Sequence, residues 1–225
     1  MTGGQAAPLI GLIDYGVGNR RSMEKSLLRA GARVVVSADP SVLGDADGLV
    51  LPGVGAFPAG IALLRDRGLD DVVRDRAAAG VPLLGACLGM QLLFDGSEEL
   101  GGAEGLGLLP GTVTALDSGG LNLPHISDGV ELIKSVNSVR WERPTLLADG
   151  LPSERPFYHV HSFVPRPADP ETVLGTSDYG ERFASVVGRG TIMGTQFHPE
   201  KSSRDGIALL ANFVAVCRPA EVQAA

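Results

Sequence analysis

The sequence predicts an α/β fold in which a mostly parallel central sheet is flanked by helices and the C-terminal half is more antiparallel. In the first half, short apolar segments alternate with longer amphipathic ones, which is typical of parallel strands separated by helices. From residue 108 onward, short strand-like segments follow one another across turns, which favours antiparallel pairing. With 225 residues and 44% hydrophobic content, the chain is long enough to form one domain with a large core.

The first half alternates strands and helices along the chain. The apolar segments predicted as strands are residues 9–13, 33–36, 48–51 and 81–84. An amphipathic helix is predicted over residues 19–30, where Gly31 ends it, and a second over residues 59–79, interrupted at Gly68. Residues 90–94 predict the start of a further helix. This alternation places the carboxyl ends of the strands at one edge of a sheet, where such folds have their clefts.

The second half contains shorter elements, with strands predicted at residues 111–116 and 157–164. The sequence has no internal repeat and no long linker, so we predict a single domain over residues 9–217. Residues 1–8 and the Ala-rich residues 218–225 are predicted to be frayed termini.

Composition excludes several classes of function. A net charge of −7 and a pI near 5.1 argue against a nucleic-acid partner. No apolar run approaches a membrane span, and the N-terminus lacks the basic start of a signal peptide. Cys87 and Cys217 are the only cysteines, which suits a protein of the reducing cytoplasm. Neither has a cysteine or histidine neighbour at metal-site spacing, so no metal and no other cofactor is predicted.

Cys87 lies in the most informative segment, residues 85–91 (GACLGMQ). This segment follows a predicted strand and leads into a predicted helix, as the nucleophile does in a G-x-Nu-x-G elbow. Glycines on both sides allow the sharp turn, and the helix N-terminus favours the thiolate. The alternative is a buried cysteine that packs as a small hydrophobic residue.

His198 and Glu200 supply the groups that a nucleophilic cysteine needs. A base takes the thiol proton, and a carboxylate fixes the tautomer and orientation of that base. Glu200 follows His198 by two positions, and Pro199 between them restricts the backbone. The alternative is a surface histidine beside a solvated glutamate. Because the histidine precedes the acid, the order differs from that of the α/β-hydrolases, in which the acid lies between nucleophile and histidine.

In this arrangement Cys87, His198 and Glu200 resemble the triad of the class I glutamine amidotransferases, whose fold is flavodoxin-like. Residues 50–57 (VLPGVGAF) resemble the oxyanion loop of that family, which includes Gly53, Val54 and Gly55. Glycines there allow the backbone to approach the substrate or to flip a peptide. Taken alone, these glycines could equally form an ordinary turn at the end of a strand.

Further motifs resemble one subgroup, the glutaminase subunits of imidazole glycerol phosphate synthase. They are residues 13–19 (IDYGVGN), 158–163 (YHVHSF) and 196–202 (QFHPEKS). The resemblance extends from about Ile10 to Phe213, which is nearly the whole chain. It implies a Cys87 nucleophile, a His198 base, an orienting Glu200, and no cofactor.

The resemblance also implies further site residues. One oxyanion donor would be the Leu88 N–H and another would come from residues 53–55. Glutamine would be bound with the help of Gln91 and Ser162, while Tyr158 and His161 would lie near the cleft. From the residues alone, Gln91 could be an exposed helix residue and His161 a structural histidine.

The resemblance further implies a partner protein, because this chain has no second domain for using the ammonia. The partner would be a cyclase subunit, a (β/α)₈ barrel, which forms a heterodimer with the glutaminase. It would convert PRFAR to imidazole glycerol phosphate and AICAR in histidine biosynthesis. Asn19 and Lys201 match family positions near that interface. Glutaminase activity would be low until the partner binds, and a peptide flip in the oxyanion loop would provide this control.

One region departs from the family pattern, in which Pro-His-hydrophobic is followed by Gly-Trp-Asn. Residues 124–126 (PHI) are present, but an insertion over about 127–135 replaces the Gly-Trp pair. Trp141, the only tryptophan, matches a different family position better, and His159 and Phe163 stand where the family usually has Phe and Tyr. Two alternatives therefore stay open: a glutaminase subunit of another synthase, and a non-catalytic regulatory subunit that keeps the fold.

Overall fold

A computed structural model describes residues 6–117, 125–126, 130–131 and 133–218. The strands are β1 (Leu9–Ile13), β2 (Arg33–Ser37), β3 (Gly48–Leu51), β4 (Leu83–Ala86), β5 (Phe94–Ser97), β6 (Ala103–Glu104), β7 (Leu109–Ala115), β8 (His125–Ile126), β9 (Val130–Glu131), β10 (Ile133–Trp141), β11 (Glu154–His161), β12 (Phe163–Pro167), β13 (Val173–Tyr179), β14 (Glu181–Arg189) and β15 (Ile192–Thr195). The helices are α1 (Arg20–Arg29), α2 (Pro40–Gly44), α3 (Phe57–Arg65), α4 (Leu69–Ala78), α5 (Leu88–Gln91) and α6 (Ser203–Val216). Short 3-10 turns cover Glu99–Gly101, Leu146–Ala148, Pro170–Thr172 and Pro199–Lys201.

The central sheet combines a parallel and an antiparallel half. Within the described residues it has nine strands in the order β11-β10-β13-β14-β15-β4-β3-β1-β2. The pairings from β15 to β2 are parallel, and those from β11 to β15 are antiparallel. This confirms the predicted fold class. The carboxyl ends of β1, β3, β4 and β15 consequently lie side by side at one edge of the sheet.

Alternating side chains of the parallel strands enter two cores, one on each face of the sheet. On one face Leu49 and Leu51 pack with α2, α3 and α4, and on the other Val50 packs with α1 and α6. Burial on both faces explains why the strands are almost continuously apolar. The two cores leave the carboxyl edge of the sheet as the place where loops gather.

Two predicted helices differ from the structure. The segment 59–79 forms two helices, α3 and α4, because Gly68 adopts a left-handed conformation (φ 63°) and caps the start of α4. The helix predicted to begin over residues 90–94 is wrong beyond Gln91: α5 is a single turn, and Phe94 already begins β5. The backbone of the 92–94 segment instead accepts hydrogen bonds from residues 106–109, such as Leu106 N–H to Leu92 O at 2.9 Å.

The strands after residue 108 pair mostly in the antiparallel direction, as predicted; among the described residues the exceptions are β7 with β5 and β15 with β4, which are parallel. A second sheet has the order β12-β7-β5-β6, and β8 pairs with β9. The proposed insertion at 127–135 overlaps this region, and its residues 127–129 and 132 lie outside the described residues. Residues 1–5 and 219–225, which belong to the predicted frayed termini, also lie outside the described residues. Pro8 belongs to the same predicted N-terminal segment, but its carbonyl accepts a hydrogen bond from Arg33 N–H at 2.9 Å.

In the described part of the chain, no helix combines the length and apolar character needed to cross a membrane.

Candidate functional site

Three loops that follow neighbouring parallel strands form the candidate site. Residues 52–56 follow β3, Cys87 follows β4, and residues 196–200 follow β15. Because β3, β4 and β15 are adjacent in the sheet, these loops meet at its carboxyl edge. Residues separated by more than 100 positions in the chain are therefore brought into one cluster.

Cys87 lies at a strained turn between β4 and α5. Its backbone adopts φ 55° and ψ −114°, a combination that non-glycine residues rarely occupy and that costs about 1–3 kcal/mol. The flanking glycines are required by space: a Cβ on Gly85 would lie 2.7 Å from Gly89 O, and one on Gly89 only 1.9 Å from Leu51 O. The Cys87 N–H donates to Thr195 O at 2.7 Å, which ties the turn to β15. The chain thus keeps strain and close packing at the residue predicted to be the nucleophile.

The helix after Cys87 is too short to act through a long macrodipole. What α5 offers is the N–H groups of Leu88 and Gly89 at its start, since those of Met90 and Gln91 donate to Cys87 O at 3.0 and 3.2 Å. Within the described residues the Leu88 N–H makes no hydrogen bond. It is therefore available to an oxygen bound beside Cys87.

His198 is held in place by its backbone and by Glu200. The His198 N–H donates to Tyr158 O at 2.9 Å, and the His198 carbonyl accepts from the Ser202 hydroxyl at 2.7 Å. Its side-chain Nδ1 lies 2.9 Å from Glu200 Oε1, with only 3% of either side chain exposed. Such a contact favours the tautomer that carries its proton on Nδ1 and leaves Nε2 free.

The electrostatic environment favours the imidazolium form of His198. Burial by itself would lower its pKa, but the Cys87 thiolate, followed by Glu200, raises the pKa from 6.5 to about 10. The His198 Nε2 atom is buried and has no hydrogen-bond partner among the described residues. The imidazole is thus oriented by Glu200 and electrostatically coupled to Cys87. A thiolate beside an imidazolium is the reactive form of a cysteine nucleophile.

The loop after β3 has free donors in its middle. In the described structure, the N–H groups of Gly53, Val54 and Gly55 donate to no other group. Gly55 has φ 100°, which favours glycine, and Val54 is 40% exposed although it is apolar. Gly53 is buried against the turn of Cys87, since a Cβ there would lie 2.8 Å from Gly89 N and from Leu88 Cβ.

Both ends of this loop are anchored by side chains from elsewhere. The Tyr15 hydroxyl donates to Pro52 O at 2.7 Å, and Glu99 Oε2 accepts from Phe57 N–H at 2.7 Å at the start of α3. Desolvation raises the pKa of Glu99, and the Phe57 N–H partly offsets this. The loop is therefore fixed where it begins and ends.

Gln91 and Ser162 occupy different environments. The buried Gln91 donates from Nε2 to Phe163 O at 2.9 Å and to Gln196 Oε1 at 3.1 Å. Its own Oε1 accepts no hydrogen bond from the described residues. Ser162 is half-buried, and its hydroxyl makes no hydrogen bond within the same residues. Gln91 is therefore a buried, oriented amide and not an exposed helix residue.

Two further histidines, on β11, are buried. His159 contacts Phe157 O at 3.0 Å and Ser185 Oγ at 2.8 Å, and burial lowers its pKa to about 4. His161 contacts Phe163 O at 3.1 Å through Nδ1, and burial, followed by His159, holds its pKa well below 6.5. Both are neutral at physiological pH. Both rings pack against Phe183, and the buried Nε2 of His161 has no hydrogen-bond partner among the described residues.

Tyr158 belongs to the same strand and lies near His198. The centroids of the Tyr158 and His198 rings are 6.3 Å apart. Lys201 Nζ lies 5.5 Å from the centroid of the Tyr158 ring, and both Lys201 and Asn19 are exposed. Asn19 accepts from Ser22 N–H at 3.4 Å and caps α1. Asn19, Lys201 and Val54 all belong to segments at the carboxyl edge of the sheet.

The sequence did not single out Gln196, Tyr15 or Glu99 as members of this cluster. Gln196 Nε2 lies 3.9 Å from Cys87 Sγ, and Gln196 shares a hydrogen bond with Gln91. Tyr15 and Gln196 belong to the motifs at residues 13–19 and 196–202, so their position beside other motif residues was the available signal. Glu99 had no such signal, because its contact with Phe57 spans 42 positions.

Within the described residues no group of His, Cys, Asp or Glu side chains has the geometry to hold a metal ion.

Comparisons with known proteins agree with this fold. The family model described as "Glutamine amidotransferase class-I" matches residues 11–217. "Imidazole glycerol phosphate synthase subunit HisH" of Moorella thermoacetica is 47% identical over 94% of this chain and 96% of the relative. The protein of the same name from Symbiobacterium thermophilum is 48% identical over 90% and 91%. The structure of PurLQS from Thermotoga maritima has a TM-score of 0.72 at 19% identity and covers 93% of this chain and 99% of that chain, a likeness of fold alone.

Proposed function

Because the chain belongs to the glutamine amidotransferase class-I family, we propose that it hydrolyses glutamine to glutamate and ammonia. The observation that carries this proposal is the cluster of Cys87, His198 and Glu200 at the carboxyl edge of the sheet. The His198–Glu200 contact of 2.9 Å and the effect of the Cys87 thiolate on the pKa of His198 match the needs of nucleophilic catalysis. In this proposal Cys87 is the nucleophile, His198 is the general acid and base, and Glu200 is the group that orients His198.

The first half of the reaction forms a thioester. The Cys87 thiolate adds to the side-chain amide carbon of glutamine, a C–S bond forms, and the carbonyl electron pair moves to oxygen. The resulting tetrahedral species collapses as the C–N bond breaks, and His198 gives the departing nitrogen the proton it needs to leave as ammonia. Glu200 stabilises the imidazolium before this transfer and keeps Nε2 directed at the reacting atoms.

The second half of the reaction releases glutamate. His198, now neutral, takes a proton from water, and the water oxygen adds to the thioester carbon. Collapse of the second tetrahedral species breaks the C–S bond and restores the Cys87 thiolate. The sum is glutamine plus water giving glutamate plus ammonia, so the reaction needs no cofactor.

The oxyanion of both tetrahedral species is stabilised by backbone donors. The Leu88 N–H provides one, and the 53–55 loop, with Val54 at its centre, provides the second. The free state of these N–H groups in the described structure supports this assignment. Each such donor typically contributes about 10²–10³ in rate.

Gln91 and Ser162 bind the amino-acid end of glutamine. The Gln91 amide is already oriented by Phe163 and Gln196, so its free Oε1 is a preformed acceptor for the α-ammonium group. The free hydroxyl of Ser162 can donate to the α-carboxylate. Because Gln91 is held by protein contacts, little side-chain entropy is lost on binding.

We further propose that the chain works in the cytoplasm as the glutaminase subunit of imidazole glycerol phosphate synthase. Relatives at 47% and 48% identity, matched over 96% and 91% of their length, are named "Imidazole glycerol phosphate synthase subunit HisH". The ammonia would pass to a cyclase partner, a (β/α)₈ barrel in a heterodimer, which makes imidazole glycerol phosphate and AICAR from PRFAR. The exposed Asn19, Val54 and Lys201 at the carboxyl edge are the residues we assign to the contact.

Glutamate release from glutamine tests these proposals. It is measured with the chain alone, with a cyclase barrel subunit, and with that subunit plus an analogue of its substrate; Cys87→Ala and Cys217→Ser are run in parallel. Strong stimulation by the liganded barrel, lost in Cys87→Ala but kept in Cys217→Ser, supports both the chemistry and the partner. Turnover without any response to the barrel supports the glutaminase chemistry and indicates that the chain serves another synthase. Absence of turnover in every mixture favours a non-catalytic subunit.

A further inference from the structure

Tyr15 lies beside the oxyanion loop but reaches it from a different strand. It follows β1, which neighbours β3 in the sheet, and its side chain is fully buried. Its hydroxyl donates to Pro52 O at 2.7 Å, a contact that spans 37 positions of the chain. Pro52 is the residue at which the chain leaves β3 and enters the loop.

The Tyr15 hydroxyl also lies directly against Gly53. A Cβ added to Gly53 would lie 2.6 Å from the hydroxyl oxygen, and 2.8 Å from both Gly89 N and Leu88 Cβ. Gly53 is therefore enclosed between the phenol and the turn that carries the Leu88 N–H. The two proposed sources of oxyanion donors are in contact through this glycine.

We propose that Tyr15 is a positioning residue for the oxyanion loop, an inference that rests on the proposed glutaminase function. By holding the Pro52 carbonyl, the hydroxyl fixes the direction in which the loop leaves β3. Reorientation is then confined to the peptides on either side of Val54. The position of Gly53 relative to the Leu88 N–H is thereby set before substrate arrives, and displacements of about 1 Å in such groups cost about 10²-fold in rate.

The chemical state of Tyr15 agrees with this role. Burial, and then the nearby Cys87 thiolate, raises the pKa of the phenol well above its usual value of 10. The hydroxyl therefore keeps its proton, and with it the donor function, across the pH range in which the enzyme would work. Without that proton the buried Pro52 carbonyl would lack a partner, which is costly inside a protein.

The test compares Tyr15→Phe with the wild-type chain, each in complex with its cyclase partner. Three readouts are measured: kcat and KM for glutamine, affinity for a glutamine aldehyde analogue, and the rate at which iodoacetamide alkylates Cys87. The Cys87 thiolate adds to the aldehyde carbon, and the aldehyde oxygen becomes an oxyanion. The affinity for the aldehyde therefore reports on the loop donors. Tyr179→Phe, which makes the same chemical change on the β13–β14 hairpin, is the matched control.

We expect Tyr15→Phe to lower kcat and aldehyde affinity by about tenfold, with KM and the alkylation rate within about twofold of wild type. A purely structural hydroxyl would lower the melting temperature while leaving kcat unchanged well below that temperature. An unchanged kcat, a change in KM alone, or a parallel loss of Cys87 alkylation overturns the proposal. Tyr179→Phe should match wild type in all three readouts.

If Tyr15→Phe does not fold, 4-fluorophenylalanine at position 15 fills more of the space of the hydroxyl without donating, and 3-fluorotyrosine keeps the donor. The proposal requires a low kcat in the first and a near-normal kcat in the second; equal rates in both contradict it. Failure of the proposed function is distinguishable, because the wild-type complex would then neither turn over glutamine nor bind the aldehyde. In that case the role of Tyr15 is refuted together with it.

Discussion

Replacing Glu200 by Gln tests the buried contact between His198 and Glu200. The two side chains are 2.9 Å apart and 3% exposed, so the hydrogen bond is charge-assisted and shielded from water. A hydrogen bond to a charged group contributes about 1.5–3 kcal/mol, and each 1.36 kcal/mol is about tenfold in rate. We therefore expect kcat of Glu200→Gln to fall about 10- to 100-fold, because Gln can still accept from Nδ1 but carries no charge.

The assay is steady-state glutamate release in the presence of the partner, with Glu171→Gln as control. Glu171 has a side chain that is 81% exposed and lies 3.7 Å from Arg143, so its loss should leave kcat unchanged. KM should change little in Glu200→Gln, since Glu200 orients His198 and does not contact glutamine. A kcat within about twofold of wild type would refute the assignment of Glu200 to the triad.

The same variant should alter the pH dependence of stability. The pKa of His198 in the folded chain, about 10, lies above the value of 6.5 expected when unfolded, so the folded state binds the proton more tightly. The stabilisation is complete below pH 6.5 and is lost as the pH rises through about 10. Glu200→Gln removes part of that shift, so its melting temperature should fall less steeply over this interval. Parallel melting curves for the two proteins would contradict the coupling.

Cys87→Ala should abolish glutaminase activity and leave affinity for the partner unchanged, since only 6% of Cys87 is exposed; retained turnover refutes the nucleophile. Gly89→Ala places a Cβ 1.9 Å from Leu51 O and should lower the melting temperature by about 5–10 °C, whereas Gly44→Ala, with nothing within 4 Å, should not. Equal melting temperatures would contradict the packing argument. Iodoacetamide at neutral pH should modify Cys87 before Cys217, whose pKa is raised to about 12 by burial and then by Asp47, and peptide mass spectrometry reports the order.

The parallel half of the fold could be predicted from local patterns. Strands 9–13 and 48–51 match β1 and β3 to the residue, because short apolar segments between helices leave few other structures. The resemblance to the class I amidotransferases is confirmed by the match over residues 11–217. The positions of Cys87, His198 and Glu200 follow from those motifs, and their roles remain predictions for the experiments above.

The local pattern failed where distant segments override it. Residues 90–94 are good helix formers, yet the chain turns at Leu92 because residues 106–109 supply N–H donors to residues 92–94 and β5 pairs with β7. The side-chain contact between Gln91 and Gln196 could not be predicted from local pattern either, since the two residues are 105 positions apart. Neither periodicity nor spacing contains information about which distant segment a given backbone carbonyl will meet.

The division of the site into fixed and free parts indicates where a partner could act. His198 is held by Tyr158, Ser202 and Glu200 within this chain, and the turn of Cys87 is held by the Thr195 carbonyl and by close packing at Gly89. Between the anchored Pro52 and Phe57, by contrast, the N–H groups of residues 53–55 are uncommitted and Val54 is exposed. A partner seated on the carboxyl edge of the sheet would contact the exposed Val54. Stimulation by that partner should therefore appear in kcat through the loop peptides, while alkylation of Cys87 stays the same with and without it.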